Sequence, residues 1–246
     1  SARGWRICGP STAGILRPLF WISRPLMTQG IMNLFAIGDI HGCLDPLKRL
    51  LRKIPADPAG DTLVFIGDYI DRGRESRGVV DYVLGLRGAC AKLVCLCGNH
   101  ESMLLNYLEG VEEDLYLQNG GAATLRDYGI FLSDSPRVRK GKIPAEHLSF
   151  FESLLPYYET DQYLFVHAGL RPGAPVACQS AWDLQWIRRE FIDSEDDFGK
   201  RVVFGHTHFN APLVAENKIG IDTGAVYGGS LTCVQLPALK FYQVST

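Results

Sequence analysis

The chain has 246 residues, 46% of them hydrophobic and 21% charged, with a formal net charge of −2 at pH 7. This near-neutral balance lacks the basic excess of a nucleic-acid footprint and argues against a dedicated nucleic-acid binder. No run of about 18 apolar residues occurs, so no membrane-spanning helix is expected, and seven cysteines without a CxxC pair point to free thiols in a reducing cytoplasm.

Residues 1–31 carry Arg3, Arg6, Arg17 and Arg24 and no acidic residue, and Arg17-Pro18 interrupts their apolar stretch. The segment reads as an N-terminal extension outside the fold, with a single catalytic domain over 32–246 beginning near Met32. A first strand over 33–37 runs into Gly38-Asp39-Ile40-His41-Gly42. A helix over 44–54 follows, with Leu47, Leu50, Leu51 and Ile54 on one face. A second strand over 62–66 delivers Gly67-Asp68-Tyr69-Ile70-Asp71-Arg72-Gly73, and a helix is predicted over 76–86. A third strand over 92–96 leads to Gly98-Asn99-His100-Glu101 and a helix over 102–108. Strand, polar cluster and helix occur three times in succession, which predicts βαβα architecture with its site at the carboxyl ends of the strands.

Residues 110–157 break this rhythm. Asn119-Gly120-Gly121 reads as a turn, helices are predicted over 122–128 and 145–154, and the region is expected to form a helical insertion walling one side of the site. Its basic run of Arg137, Arg139, Lys140 and Lys142 reads as a solvated loop. The sheet resumes with a strand over 162–166 that ends at His167-Ala168-Gly169, and a helix over 184–192 carries Arg188 and Arg189. A strand over 202–204 ends in Gly205-His206-Thr207-His208, residues 218–221 run into Asp222-Thr223-Gly224, and 230–236 with 239–244 form a closing hairpin. These late, short strands predict a second sheet packed on the first.

Five strand ends thus present Asp39 with His41, Asp68, Asn99 with His100, His167, and His206 with His208. Of the six histidines all but His147 follow an apolar strand, a placement that chance explains poorly. His, Asp and Asn suit manganese, iron or zinc, and no cysteine joins them. Asp39 and His41 are close enough in sequence to face one ion, and a carboxylate such as Asp68 can bridge two ions ~3.5–4 Å apart, the spacing of two-metal hydrolysis.

The motifs GDIHG, GDYIDRG and GNHE, followed by single histidines in VHAG and GHT, resemble the calcineurin-like metallophosphoesterase superfamily. Within it they are most similar to the PPP-type serine/threonine protein phosphatases, including bacterial and phage members. The resemblance runs from about Asn33 to the C-terminus. It implies a four-layer αββα sandwich with two divalent ions, manganese being expected and iron or zinc the alternatives. Asp39, His41 and Asp68 would hold the first ion, and Asp68, Asn99, His167 and His206 the second. His208, in a GHxH arrangement, is a further candidate ligand.

The resemblance also implies His100 as general acid oriented by Asp71, with Arg72 and Arg188 gripping phosphate and Arg189 as the adjacent candidate. Glu101 either sets the loop or caps the following helix, and Tyr227 reads as a packing or loop residue. The implied activity is hydrolysis of phosphoserine or phosphothreonine in a phosphoprotein or phosphopeptide, by in-line attack of water activated between two ions. The alternative is a symmetrical diadenosine tetraphosphate hydrolase. A non-catalytic binding protein of this fold would lack a ligand or the general acid, and none is missing. A cytoplasmic monomer is expected. Deleting residues 1–31 should leave turnover and melting temperature nearly unchanged; a large fall in either would place the segment in the fold.

Overall fold

The computed structural model describes residues 33–246, so the predicted extension over 1–31 lies outside the described residues. The first half runs β1 (Leu34–Ile37), α1 (Leu44–Lys53), β2 (Thr62–Phe65), α2 (Ser76–Leu86), β3 (Lys92–Cys95) and α3 (Asn99–Leu108). Four helices follow: α4 (Glu113–Gln118), α5 (Ala122–Asp127), α6 (Pro136–Lys142) and α7 (Ala145–Glu152). The second half contains β4 (Tyr157–Glu159), β5 (Tyr163–Val166), α8 (Ala181–Trp186), α9 (Arg189–Ile192) and β6 (Arg201–Phe204). It closes with β7 (Leu213–Val214), β8 (Lys218–Gly220), β9 (Asp222–Thr223), β10 (Ser230–Leu236) and β11 (Lys240–Ser245).

Two mixed sheets result. One has the order β11-β10-β1-β2-β3 with β9 paired to β10, and the other has the order β4-β5-β6-β8-β7. The period-2 alternation of each strand divides its side chains between layers. In β1, Phe35 and Ile37 face Leu47, Leu50 and Val79 of the helices, whereas Ala36 points between the sheets toward Phe165, Val203 and Ile219. On the outer face of the second sheet, Val202 and Phe204 meet Leu184, Ile187 and Phe191. Three apolar layers therefore separate four layers of secondary structure, the expected αββα sandwich. No helix among the described residues is long and apolar enough to cross a membrane.

Two local expectations need correction, and one short strand was not expected. The helix over 184–192 is broken into α8 and α9, with Ile187 extended and Arg188 at φ −130°, ψ −98°. An unbroken helix would put Leu184, Ile187, Arg188 and Phe191 on one stripe and drive the guanidinium into the core. The break keeps Ile187 and Phe191 buried and leaves Arg188 exposed. The short edge strand β4, at the end of the insertion, has no sequence signal beyond two tyrosines after a proline.

The basic run forms α6, opened by Pro136 in its first turn, rather than a solvated loop. Arg139 is buried, pairs with Glu113 and donates to the carbonyls of Tyr107 (3.0 Å) and Leu132 (3.3 Å), while Lys140 and Lys142 pair with Glu109 and Asp134. Its charges are largely consumed inside the insertion. Arg139→Met should therefore lower unfolding free energy by about 2 kcal/mol, because carbonyls lose their donors. Denaturant titration would measure it, and an unchanged midpoint would refute the role.

Candidate metal centre

The loops after β1, β2, β5 and β6 and the first turn of α3 converge on one point. His41, Asp68, Asp71, Arg72 and His206 have φ between 46° and 72°, and they are five of the seven non-glycine residues with positive φ among the described residues. Left-handed backbone at such residues costs on the order of 1 kcal/mol each and persists only where the surroundings over-determine it. Here they do. The buried Glu101 carboxylate accepts the N–H groups of Asp68 (3.0 Å), Tyr69 (2.8 Å) and Gly98 (3.0 Å). Glu101 therefore both sets the loop after β2 and caps α3. The Asp68 carbonyl accepts from Ile40 (3.0 Å) and His41 (2.8 Å), which ties the loop after β1 to the same frame. Gly98 allows the close approach, since a Cβ there would collide with Asp68 Oδ1 and its backbone nitrogen.

Two groups of potential cation ligands share Asp68: His41, Asp68 and His100, and Asp68, His167 and His206, each with its ligand atoms within 4.8 Å of one another. Nε2 of His41 and of His167 each lie 3.4 Å from an Asp68 oxygen, and Nε2 of His100 lies 4.0 Å away. His41 Nδ1 donates to the Ile70 carbonyl (2.8 Å) and His167 Nδ1 to the Ile66 carbonyl (2.9 Å), so both Nε2 atoms face the centre. Asn99 Oδ1 is 3.0 Å from His167 Nε2. Asp39 lies beside this centre, its Oδ2 accepting the backbone N–H of His206 at 3.0 Å. His208 joins neither group; it is exposed, with its ring 5.4 Å from that of Tyr227.

The electrostatics suit a cation. Burial raises the Asp39 carboxyl well above its usual range, reinforced by neighbouring Asp222. Burial opposes ionisation of Asp68 as well, but His167 and His100 outweigh it and hold that carboxyl well below its ordinary value. Burial lowers His41 to about 3 and His206 to about 2, leaving both imidazoles neutral. His167 behaves oppositely: burial is overcome by Asp68, and its pKa is raised to about 9. Asp39 Oδ1, His100 Nε2 and His206 Nε2 are buried without a partner. Orphaned carboxylate and imidazole atoms in a water-poor pocket match the nitrogen and oxygen donors that divalent transition ions take, so the residues present fit such ions.

Around this centre lie Asp71, Arg72 and Arg188, which the sequence singled out, and Ser76, Tyr116, Thr124 and Asp222, to which it gave no role. Asp71 Oδ2 is 2.7 Å from His100 Nδ1, while its Oδ1 accepts from Tyr116 Oη (2.8 Å) and Thr124 Oγ1 (2.5 Å). Its backbone N–H donates to the hydroxyls of Ser76 (3.0 Å) and Thr124 (2.9 Å). Asp222 is a buried carboxylate beside Asp39, and the sequence signal existed, since it follows an apolar run as Asp39 does. Arg72 Nη1 donates to His41 Nε2 at 2.7 Å, using a lone pair that cannot serve a cation at the same time. Its guanidinium lies 5.6 Å from the centroid of Tyr227, which is 60% exposed in the loop between β9 and β10. Arg188 Nη1 donates to the His206 carbonyl and to Thr207 Oγ1, both at 3.1 Å.

A buried carboxylate shared by imidazoles at the strand ends of a double-sheet sandwich is a donor set for divalent ions, as in a metallophosphoesterase. The chain belongs to the calcineurin-like phosphoesterase family, which matches residues 32–226. It is 30% identical to serine/threonine-protein phosphatase 1 of Salmonella typhimurium, over 83% of this chain and 92% of that protein. It is 28% identical to the asymmetrical bis(5'-nucleosyl)-tetraphosphatase PrpE of Anoxybacillus flavithermus, over 85% and 92%. The cold-active protein-tyrosine phosphatase of a Shewanella species shares the fold, with a TM-score of 0.63 at 18% identity, over 88% of this chain and 80% of that one.

Because His167 is raised to about 9, it is charged at pH 7.5 and must lose a proton to ligate an ion. Loading metal-free protein with Mn²⁺ at that pH should release at least one proton. Affinity should fall about tenfold per pH unit as pH drops below that value. Calorimetry in buffers of different ionisation enthalpy measures the release; zero release would refute the assignment of His167.

Proposed function

We propose that this phosphoesterase hydrolyses phosphoserine or phosphothreonine in proteins, with His100 as proton donor to the leaving group. The His100–Asp71 pair carries this assignment. An alkoxide leaving from serine or threonine is strongly basic and needs a proton, whereas a nucleoside phosphate leaving from an anhydride does not. Both oxygens of Asp71 are committed, one to His100 Nδ1 and the other to Tyr116 and Thr124, so the imidazole is held in a fixed orientation. That is a costly arrangement for a reaction that could dispense with it.

Asp39, His41 and Asp68 would hold one divalent ion, and Asp68, Asn99, His167 and His206 a second. Such ions supply a water of lowered pKa and offset phosphoryl charge. Arg72 and Arg188, bonded to His41 and to the loop after β6 respectively, present guanidinium groups whose fork matches phosphoryl oxygens.

One feature supports the dinucleotide alternative. Beside Arg72, a cleft of about 340 Å³ is lined by His208, Phe209 and Tyr227 with the backbone of Gly228 and Gly229, a surface on which a flat base could stack. The PrpE relative named above gives this alternative its substrate class.

Two measurements separate these outcomes. The manganese-loaded enzyme should prefer a phosphothreonine peptide over diadenosine tetraphosphate by roughly tenfold or more in kcat/KM; the reverse preference would move the enzyme to nucleotide substrates. His100→Asn should slow the peptide on the order of 10²–10³-fold and p-nitrophenyl phosphate, whose leaving group needs little protonation, far less. Equal slowing of both with loss of bound metal would make His100 a ligand instead.

A further inference from the structure

Lys218 opens β8 at the end of the strand remote from the metal centre, and it is only 1% exposed. Its ammonium donates to three backbone carbonyls, those of Phe191 (2.5 Å), Ile192 (3.1 Å) and Ser194 (2.5 Å). An ammonium has three protons to give, so the buried charge is fully satisfied. The acceptors lie at the C-terminal end of α9, where helix carbonyls lack partners and a positive charge is favoured.

The helix so capped has four residues, too few to be stable by its own hydrogen bonds. It is held from outside. Phe191 is buried against the second sheet, Nζ of Lys218 sits 4.7 Å from its ring centroid, and Asn217 Nδ2 donates to the Asp196 carbonyl at 2.9 Å. At the other end, Arg188 immediately precedes the helix and is bonded to the His206 carbonyl and Thr207 Oγ1. Helix α9 is thus strung between two paired strands: Lys218 stands opposite Val202 in the β6–β8 register, and His206 follows β6.

We propose that Lys218 is a positioning residue whose buried ammonium fixes α9 through these three carbonyls and thereby holds the Arg188 guanidinium where it can take phosphoryl oxygens. This rests on the assignment of Arg188 as a phosphate-gripping group. Among the described residues only Nη1 of Arg188 is engaged, which leaves the other guanidinium nitrogens to reach substrate. If α9 were free to drift, the guanidinium would shift with it, and alignment with the phosphoryl group would be lost without any change at the metal ligands.

The test is a double-mutant cycle on the manganese-loaded full chain, with p-nitrophenyl phosphate as substrate and inorganic phosphate as competitive inhibitor. Arg188→Ala should raise KM and the phosphate inhibition constant by about tenfold, and Lys218→Met should raise both by about fivefold with kcat changed less than about threefold. Lys218→Arg should recover most of the loss, and the double variant should be no worse than Arg188→Ala, because both act through one contact. If Arg188→Ala has its effect but the Lys218→Met effect adds to it in full, or Lys218→Met binds phosphate normally, the positioning role is overturned alone. If Arg188→Ala binds phosphate normally, the assignment of Arg188 falls and the inference with it. Should Lys218→Met fail to fold, Lys218→Gln, which keeps part of the donor set, is expected to raise both constants by an intermediate factor, and wild-type values there would overturn the proposal.

Discussion

The placement of one buried carboxylate, Asp68, governs the rest of the site. It is nearly inaccessible, held in a left-handed conformation, and faced by the imidazoles of His41, His100 and His167. An ionised carboxylate is tolerated in such surroundings only where charge or hydrogen bonds replace lost water. The imidazoles do so on one side and the His100 amide on another, at 3.2 Å from Oδ1. The backbone beneath it depends on a second buried carboxylate. Burial and the proximity of Asp68 raise Glu101 to about 7, and the N–H groups that Glu101 accepts counter this. Two acids packed this closely favour any cation that enters between the sheets and α3.

The two halves of the molecule divide the remaining work. Both sheets contribute candidate donors at their strand ends, so the two proposed ion sites would be joined by the same apolar layer that joins the sheets. The helical insertion does more than wall the cleft. Tyr116 from α4 and Thr124 from α5 both reach Asp71 and thereby lock the partner of His100. The insertion expected to wall the site thus also holds in place the carboxylate that orients His100, the proposed proton donor. On the other flank, α9 and Lys218 support Arg188 from the far end of the second sheet.

What the sequence by itself determined was the strand–cluster–helix rhythm, the double-sheet sandwich and the identity of most groups at the centre. Asp39, His41, Asp68, Asn99, His167 and His206 were legible because each follows an apolar run, and the period-2 pattern of a buried strand is a local property. The roles of Tyr116, Thr124, Asp222 and Lys218 were decided only in three dimensions. Thr124 is 53 residues from the Asp71 oxygen it donates to, and Lys218 is 27 residues from the farthest of its three carbonyls in sequence order, Phe191. Nothing in the neighbourhoods of Tyr116, Thr124 and Lys218 distinguishes them from ordinary helix or strand residues, whereas Asp222 follows an apolar run as Asp39 does. The break before α9 and the inward turn of Arg139 have the same origin. A charged side chain within a helical stripe can be buried with partners or turned out by a kink, and the choice depends on which carboxylates and carbonyls the tertiary packing brings within reach.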